Sequence, residues 1–104
     1  MQADVLIGTW RTTKIHWHGD YITHYTDNCQ WRQLVFEPGG VLNEFENYKG
    51  QLNRFPTILN WQLEKGEIIM TENNRWIWRV LALTSNELII KADTTQITYY
   101  CKKI

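Results

Sequence analysis

All three histidines of the chain fall within the ten residues HWHGDYITHY, at positions 16–25. His16 and His18 are two residues apart, a spacing that puts both side chains on one face of a β-strand, and His24 follows a Gly-Asp pair that can fold the chain back. Imidazole binds zinc, copper, nickel and iron, so one interpretation is a metal or haem site. Such a site needs three or four ligands in fixed geometry, and only two aspartates lie nearby. We therefore favour the alternative, polar residues on a solvent-exposed loop, and predict no metal and no cofactor.

Other sets of residues that carry out catalysis are also missing. The sequence has no Ser-His-Asp set, no suitable pair of carboxylates and no CxxC metal spacing. Gly39 and Gly40 follow Pro38 in a turn that does not lead into a helix, so they do not form a phosphate-binding loop. We predict that the protein is not an enzyme.

The composition excludes two further classes of function. Eleven basic and eleven acidic residues are mixed along 104 residues, giving a formal net charge of zero. No basic stripe of the kind that nucleic acids require is present, and no apolar run reaches the 18 residues typical of a membrane span. A chain of this length and 43% hydrophobic content predicts one globular domain, residues 1–104.

The apolar residues occur in short runs rich in β-branched and aromatic side chains, and turn residues follow most runs. This pattern is typical of strands rather than helices, and no helix is convincing. We predict eight strands, at residues 5–17, 30–37, 41–48, 58–64, 67–71, 75–83, 87–92 and 95–103.

Eight sequential strands joined mostly by hairpin-length connections favour an up-and-down antiparallel β-barrel over a sandwich, which usually needs longer crossings. The two long connections, at residues 18–29 and 49–57, follow strands one and three and therefore fall at the same end. We call this end the mouth, and the opposite end, with its short turns, the closed end. The predicted fold class is all-β, a single eight-stranded antiparallel up-and-down barrel.

Three positions of this barrel resemble motifs of the lipocalin-like family, specifically the small lipocalin-like domains of bacterial envelope proteins. Gly8 and Trp10 on the first strand match the family's G-x-W motif, and Thr84 lies where the family has a Thr-Asp turn between strands six and seven. The family also places an arginine on the last strand, packed across the motif tryptophan. This sequence has Lys102 and Lys103 there, and by strand alternation we assign the role to Lys103.

The resemblance implies a calycin-type barrel that binds a small apolar ligand. It also favours a secreted or cell-envelope protein. We expect a monomer or a weak homodimer. The sequence shows no signal peptide, because its first four residues lead straight into the first strand. Met1 is then either native or an added start residue.

Strand alternation predicts which side chains point into the barrel. Leu34 and Phe36 face inward, which also turns Arg32 inward near the mouth, where it would bind a ligand carboxylate, pair with an acidic residue of a neighbouring strand, or stack on a tryptophan. The predicted ligand-binding residues of the interior and mouth are Arg32, Phe45, Asn47, Trp61, Trp76, Trp78 and Tyr99. A buried tryptophan side chain covers about 150–250 Å². The alternative to an open ligand cavity is therefore an interior filled by the tryptophan rings.

The two cysteines would form a disulfide if the exported chain brought them together. Cys29 opens the second strand at the mouth, whereas Cys101 lies about six residues down the last strand. At about 3.3 Å per residue this is roughly 20 Å, beyond the reach of a disulfide. We predict two free thiols.

Three functions follow in order of preference. The first is a non-enzymatic barrel that binds a small apolar or amphipathic ligand through its mouth. The second is an interaction domain whose filled barrel is a scaffold for aromatic mouth loops, with Trp17, Tyr21, Tyr25, Tyr48 and Phe55. The third is a histidine-ligated metal or haem protein.

Overall fold

The computed structural model describes residues 3–17, 19–25, 30–58, 60–70 and 76–104. In this part of the chain it has one short helix and ten strands. The elements are α1 (Ala3–Leu6), β1 (Gly8–His16), β2 (Ile22–His24), β3 (Gln30–Glu37), β4 (Val41–Tyr48), β5 (Gln51–Arg54), β6 (Trp61–Glu64), β7 (Glu67–Met70), β8 (Trp76–Leu83), β9 (Glu87–Ala92) and β10 (Thr98–Lys103).

The strands form one antiparallel sheet in the order β5-β4-β3-β1-β10-β9-β8-β7-β6, with β2 paired to β1 beside this path. The sheet curls into a half-barrel. Its far end returns to β4, where Leu42 and Ile58 exchange two backbone hydrogen bonds of 2.9 Å and the N–H of Trp61 donates to the carbonyl of Gly40 at 3.0 Å. The predicted all-β antiparallel architecture is confirmed.

The predicted count of eight strands was wrong, because β2 and β5 form inside segments that were expected to be loops. β5 is the second half of a hairpin whose two-residue turn is Lys49-Gly50. Both turn residues have positive φ, 52° and 86°, as the tightest hairpin turns require. The turn Lys65-Gly66 between β6 and β7 has the same geometry, with φ of 48° and 77°.

The β1 strand contains a bulge that reverses its alternation. Its register against β10 shifts between Thr12 and Lys14, leaving Thr13 as the extra residue. Before the bulge, Thr12 is buried on the same face as Trp10. After the bulge, Ile15 is buried, while Lys14 lies on the outer face with its Nζ 4.0 Å from the ring centroid of Tyr100. β2 pairs with the part of β1 beyond the bulge.

The core fills the closed half of the barrel. Phe36 and Trp61 meet edge to face with ring centroids 5.2 Å apart, and the Trp61 indole N–H donates to the carbonyl of Val41 at 2.9 Å. Around them lie the fully buried side chains Leu6, Trp10, Leu42, Ile68, Met70, Leu88 and Ile90.

Helix α1 closes the bottom of the barrel, so the expectation of no helix was wrong. Its one turn leaves carbonyls without helical partners, and side chains of the closed end supply the donors. The Trp10 indole N–H donates to the Leu6 carbonyl at 2.8 Å, and the Lys103 Nζ donates to the carbonyls of Ile7 at 2.7 Å and Val5 at 3.2 Å.

We call Gly8, Trp10 and Lys103 the closed-end latch. The Nζ of Lys103 lies 4.6 Å from the centroid of the Trp10 ring. To reach it, the lysine crosses Gly8, where a Cβ would lie 2.5 Å from the lysine Cε. Gly8 also has a φ of 135°, which side chains disfavour.

The β8–β9 turn next to the latch is held by Thr84. Its hydroxyl accepts hydrogen bonds from the backbone N–H groups of Asn86 at 3.2 Å and Glu87 at 3.0 Å. The Asn86 carbonyl accepts the backbone N–H of Lys103 at 2.9 Å, so this turn is tied directly to the end of β10. None of the helices in the described ranges has the length and apolar character that spanning a bilayer requires.

Candidate functional site

A small cavity lies on the mouth side of the core. Its volume is about 90 Å³, and seven residues from six strands line it: Thr12, Arg32, Leu34, Glu44, Trp78, Ile90 and Tyr99. Leu34, Trp78 and Ile90 form an apolar part, whereas Arg32 and Glu44 bring charged groups to the wall. The cavity is therefore amphipathic.

Arg32 is held by a neighbouring strand. It pairs in register with Glu46 of β4, and its Nε lies 3.7 Å from the Glu46 Oε1. This Nε is buried without a hydrogen bond, because the ion pair is longer than a hydrogen bond. The guanidinium carbon also lies 5.7 Å from the centroid of Phe55. Of the alternatives for Arg32, the structure shows the acidic partner on the next strand, together with stacking on a phenylalanine rather than a tryptophan.

Glu44 brings a second carboxylate into the interior. It lies opposite Leu34 in the β3–β4 register, and both side chains line the cavity. Burial raises the pKa of Glu44, since it disfavours the charged form; the positive charge of Arg32 offsets part of this rise and the negative charge of Glu46 adds to it.

Two tyrosines belong to the same environment. Burial raises the pKa of Tyr99 and of Tyr25, and in both cases the charge of Arg32 lowers it in part. The charge of Arg32 therefore acts both on Tyr99 in the cavity wall and on Tyr25, the residue that follows β2.

Below the cavity, Cys101 is a buried free thiol. Its Sγ lies 3.5 Å from the hydroxyl of Thr12, and burial raises its pKa to about 11. A neutral thiol of this kind is a poor nucleophile. Cys29 lies outside the described residues, so the predicted state of that cysteine stays a prediction.

Of the residues predicted for the interior, Arg32, Trp78 and Tyr99 line the cavity. Trp61 lies lower, in the core, where its ring packs on Phe36. The side chain of Trp76 lies outside the described part of the chain.

The predicted orientation of β4 was wrong for Phe45 and Asn47. Leu42 and Glu44 face the interior, so Phe45, one residue on, faces outward, where the Arg54 guanidinium carbon lies 5.8 Å from its ring centroid. The Asn47 side chain accepts the Gly50 N–H at 2.9 Å and supports the β4–β5 turn. On this face the Phe45 side chain is half-buried.

The sequence interpretation missed Glu44 and Thr12 as cavity residues. A signal for Glu44 was present, because Leu42, Glu44 and Glu46 alternate along β4 as regularly as the residues predicted to face inward, Phe45 and Asn47. The inward-facing charge of Arg32 also predicted an acidic residue next to it, because buried charges are usually paired. A signal for Thr12 was present as well, because it lies two residues after Trp10 on the same strand and therefore on the same face.

The histidines do not meet in the described structure. The ring Nε2 of His16 lies 2.7 Å from the carbonyl oxygen of Gly19, and His24 pairs with Lys14 across β1 and β2. His18 lies outside the described residues. Within the described ranges there is no group of three or more His, Cys, Asp or Glu residues placed to hold a metal ion.

A second, larger depression of about 390 Å³ lies beside His24. It includes Lys14, Tyr100 and Lys102, together with Glu87 and Ile89 of β9. It is separate from the interior cavity and is shaped by the bulge of β1 and the end of β2.

Comparison with known proteins supports the fold. No protein-family model matches the chain, and no curated protein matches its sequence. The crystal structure of a lipocalin-like protein from Bacteroides uniformis ATCC 8492 superposes with a TM-score of 0.75, covering 96% of this chain and 99% of that one at 15% sequence identity. The resemblance drawn from Gly8, Trp10 and Thr84 is confirmed at the level of the fold, and the chain has the lipocalin-like fold.

Proposed function

We propose that this protein is a non-enzymatic barrel that binds a small amphipathic ligand in its interior cavity. The observation that carries the proposal is the wall of the cavity. An apolar part, formed by Leu34, Trp78 and Ile90, meets a polar part that contains Arg32 and Glu44. A ligand with an apolar chain and a polar head would satisfy both parts.

The size of the cavity limits what enters it. A volume of about 90 Å³ is well above the roughly 10–15 Å³ needed to hold one water. It is below the roughly 300–1,000 Å³ typical of pockets for drug-sized ligands. We infer that a head group or a short chain occupies the cavity and that any longer part of the ligand extends toward the mouth.

Binding of 1-hexanol, a neutral amphiphile, tests this proposal. In an NMR titration we expect the indole N–H of Trp78 to shift on binding, because this ring lines the cavity. The variant Leu34→Trp places a larger ring in the cavity wall and should abolish the shift. Leu81→Trp is the matched control, since Leu81 is 55% exposed and the same substitution there leaves the cavity unchanged.

Circular dichroism of both variants checks that they fold. Equal binding of 1-hexanol by the Leu34 variant and the native protein would refute the interior cavity as the site. Native mass spectrometry of protein purified from its own host would then show whether a small molecule co-purifies at all.

A second candidate function is protein interaction through the mouth. Large side chains are exposed in and directly beside the two segments that form this end: Tyr21 is 69% exposed, Tyr48 54% and Leu52 60%. Aromatic side chains are common at the centres of protein interfaces. Serine substitutions at both tyrosines should then weaken self-association in analytical ultracentrifugation and leave 1-hexanol binding unchanged.

A further inference from the structure

Among the residues that the structure describes, the charges inside the barrel are unequal. Arg32 supplies one positive charge, whereas Glu44 and Glu46 supply two negative charges when both are ionised. Arg32 and Glu46 form an ion pair. The other ion pair in the described ranges joins Arg79 to Asp93, so Glu44 has no ion-pair partner within the described part of the chain.

A carboxylate that faces a cavity without a partner is costly to keep ionised. Burial raises the pKa of Glu44, which is the electrostatic sign of this cost. Water, a proton or a positively charged group would relieve it. A ligand cation would relieve it most, because it adds a direct charge interaction in a partly desolvated site.

The other cavity residues suit a cation of organic type. Trp78 and Tyr99 line the same cavity as Glu44, and the faces of such rings attract cations. Leu34 and Ile90 provide apolar contact for the carbon atoms next to the charge. The cavity thus combines a carboxylate, two aromatic rings and an aliphatic surface with the guanidinium of Arg32, whose charge is paired with Glu46.

We propose that the ligand head group is a small organic ammonium ion, which donates hydrogen bonds to the Glu44 carboxylate and packs its alkyl carbons against Leu34, Ile90 and the ring of Trp78. This inference rests on the proposed function, because it assigns the chemistry of the same cavity. It replaces the expectation that Arg32 binds a ligand carboxylate, since Arg32 already has Glu46 as its partner.

Three probes of equal chain length and different charge separate the possibilities: n-butylammonium, butyrate and 1-butanol. Each is titrated at pH 7 into the full chain, and the Trp78 indole N–H is followed by NMR. We expect butylammonium to bind at least 10-fold more tightly than the other two. Glu44→Gln should weaken its binding at least 10-fold, because the amide keeps the shape and loses the charge.

Two further variants control for structure. Glu44→Asp keeps the charge and should retain the preference for butylammonium over butyrate. Glu64→Gln makes the same chemical change at an exposed position in the β6–β7 hairpin and should leave all three affinities within twofold. Superposable amide spectra of the free proteins show that each variant is folded.

Tighter binding of butyrate, or butylammonium binding that Glu44→Gln leaves unchanged, would overturn the proposal. If 1-butanol binds as well as butylammonium, the preference for a cation is wrong while the amphipathic cavity stands. If none of the three probes shifts Trp78 but 1-hexanol does, only the head-group assignment fails. If 1-hexanol also fails to bind, both proposals fail.

Discussion

The substitution Lys103→Met tests whether the closed-end latch stabilises the barrel. Methionine keeps most of the aliphatic stem that crosses Gly8 and lies over Trp10, and it removes only the ammonium group. The change therefore eliminates the hydrogen bonds to the carbonyls of Ile7 at 2.7 Å and Val5 at 3.2 Å. It also removes the cation that lies 4.6 Å from the Trp10 ring centroid.

The expected cost follows from these three contacts. The short hydrogen bond to Ile7 is partly buried and charge-assisted, which corresponds to about 1.5 kcal/mol. The longer, exposed bond to Val5 adds about 0.5 kcal/mol, and the cation–π contact adds about 0.5–1 kcal/mol. We expect Lys103→Met to lower the free energy of unfolding by about 2.5–3 kcal/mol, which for a domain of this size lowers Tm by about 10–25 °C.

Urea denaturation followed by circular dichroism measures this difference. The neighbouring Lys102 is exposed, so Lys102→Met is the matched control and should change the free energy of unfolding by less than about 0.5 kcal/mol. Lys103→Arg keeps the charge and should recover most of the stability. Equal destabilisation by the two methionine variants would refute the latch as a source of stability.

Three further predictions concern the same closed end and the interior. Gly8→Ala should lower the free energy of unfolding by about 1–3 kcal/mol through backbone strain. In a double-mutant cycle, the costs of Gly8→Ala and Lys103→Met should be less than additive, because both changes break the latch. Gly19→Ala is the control for backbone strain alone, since φ there is 66° but no atom lies within 4 Å of the added Cβ. Full additivity in the cycle would contradict the collision between the Cβ added at Gly8 and the Lys103 side chain. The folded state raises the pKa of Glu44, so it binds more protons than the unfolded state, and stability should fall as pH rises from about 4.5 through the folded pKa. The Glu44→Gln variant should lack this fall, so it should be more stable than the native protein at pH 8 but not at pH 4. Parallel pH profiles of stability for the two proteins would contradict this prediction. Because the pKa of Cys101 is about 11, its thiol should label slowly at pH 8 in a Cys29→Ser background and quickly in urea; fast labelling of the folded protein would contradict its burial.

The predicted architecture was right where local chemistry determines the chain's path. Pro-Gly-Gly at 38–40 and Lys65-Gly66 produce turns because glycine adopts positive φ at little cost. The turn Lys49-Gly50 has the same dipeptide, but the segment after it shows no apolar alternation. All four residues of β5 are exposed, and an exposed edge strand gives no signal of periodicity. β5 was missed for this physical reason.

The bulge in β1 marks a second limit of prediction. Simple alternation from Trp10 and Thr12 places Lys14 and His16 inside the barrel, whereas the bulge at Thr13 buries Ile15 instead. The Thr13 hydroxyl donates to the carbonyl of Tyr100 at 3.2 Å, and its own carbonyl accepts the Tyr25 N–H. A bulge held by such long-range contacts leaves no mark in the residues next to it.

The orientation of β4 had the largest consequence for function. Alternation alone allows two faces, one with Phe45 inside and one with Glu44 inside, and hydrophobicity favours the first. The second is realised because β4 lies beside β3 in the register that sets Glu46 opposite Arg32. For the residues that the structure describes, exchanging one face for the other changes the interior charge from a single positive charge, suited to a carboxylate, to an excess of negative charge, suited to a cation. The comparison of butylammonium with butyrate therefore tests the strand register as well as the ligand, since the same cavity with Glu44 outside would prefer butyrate.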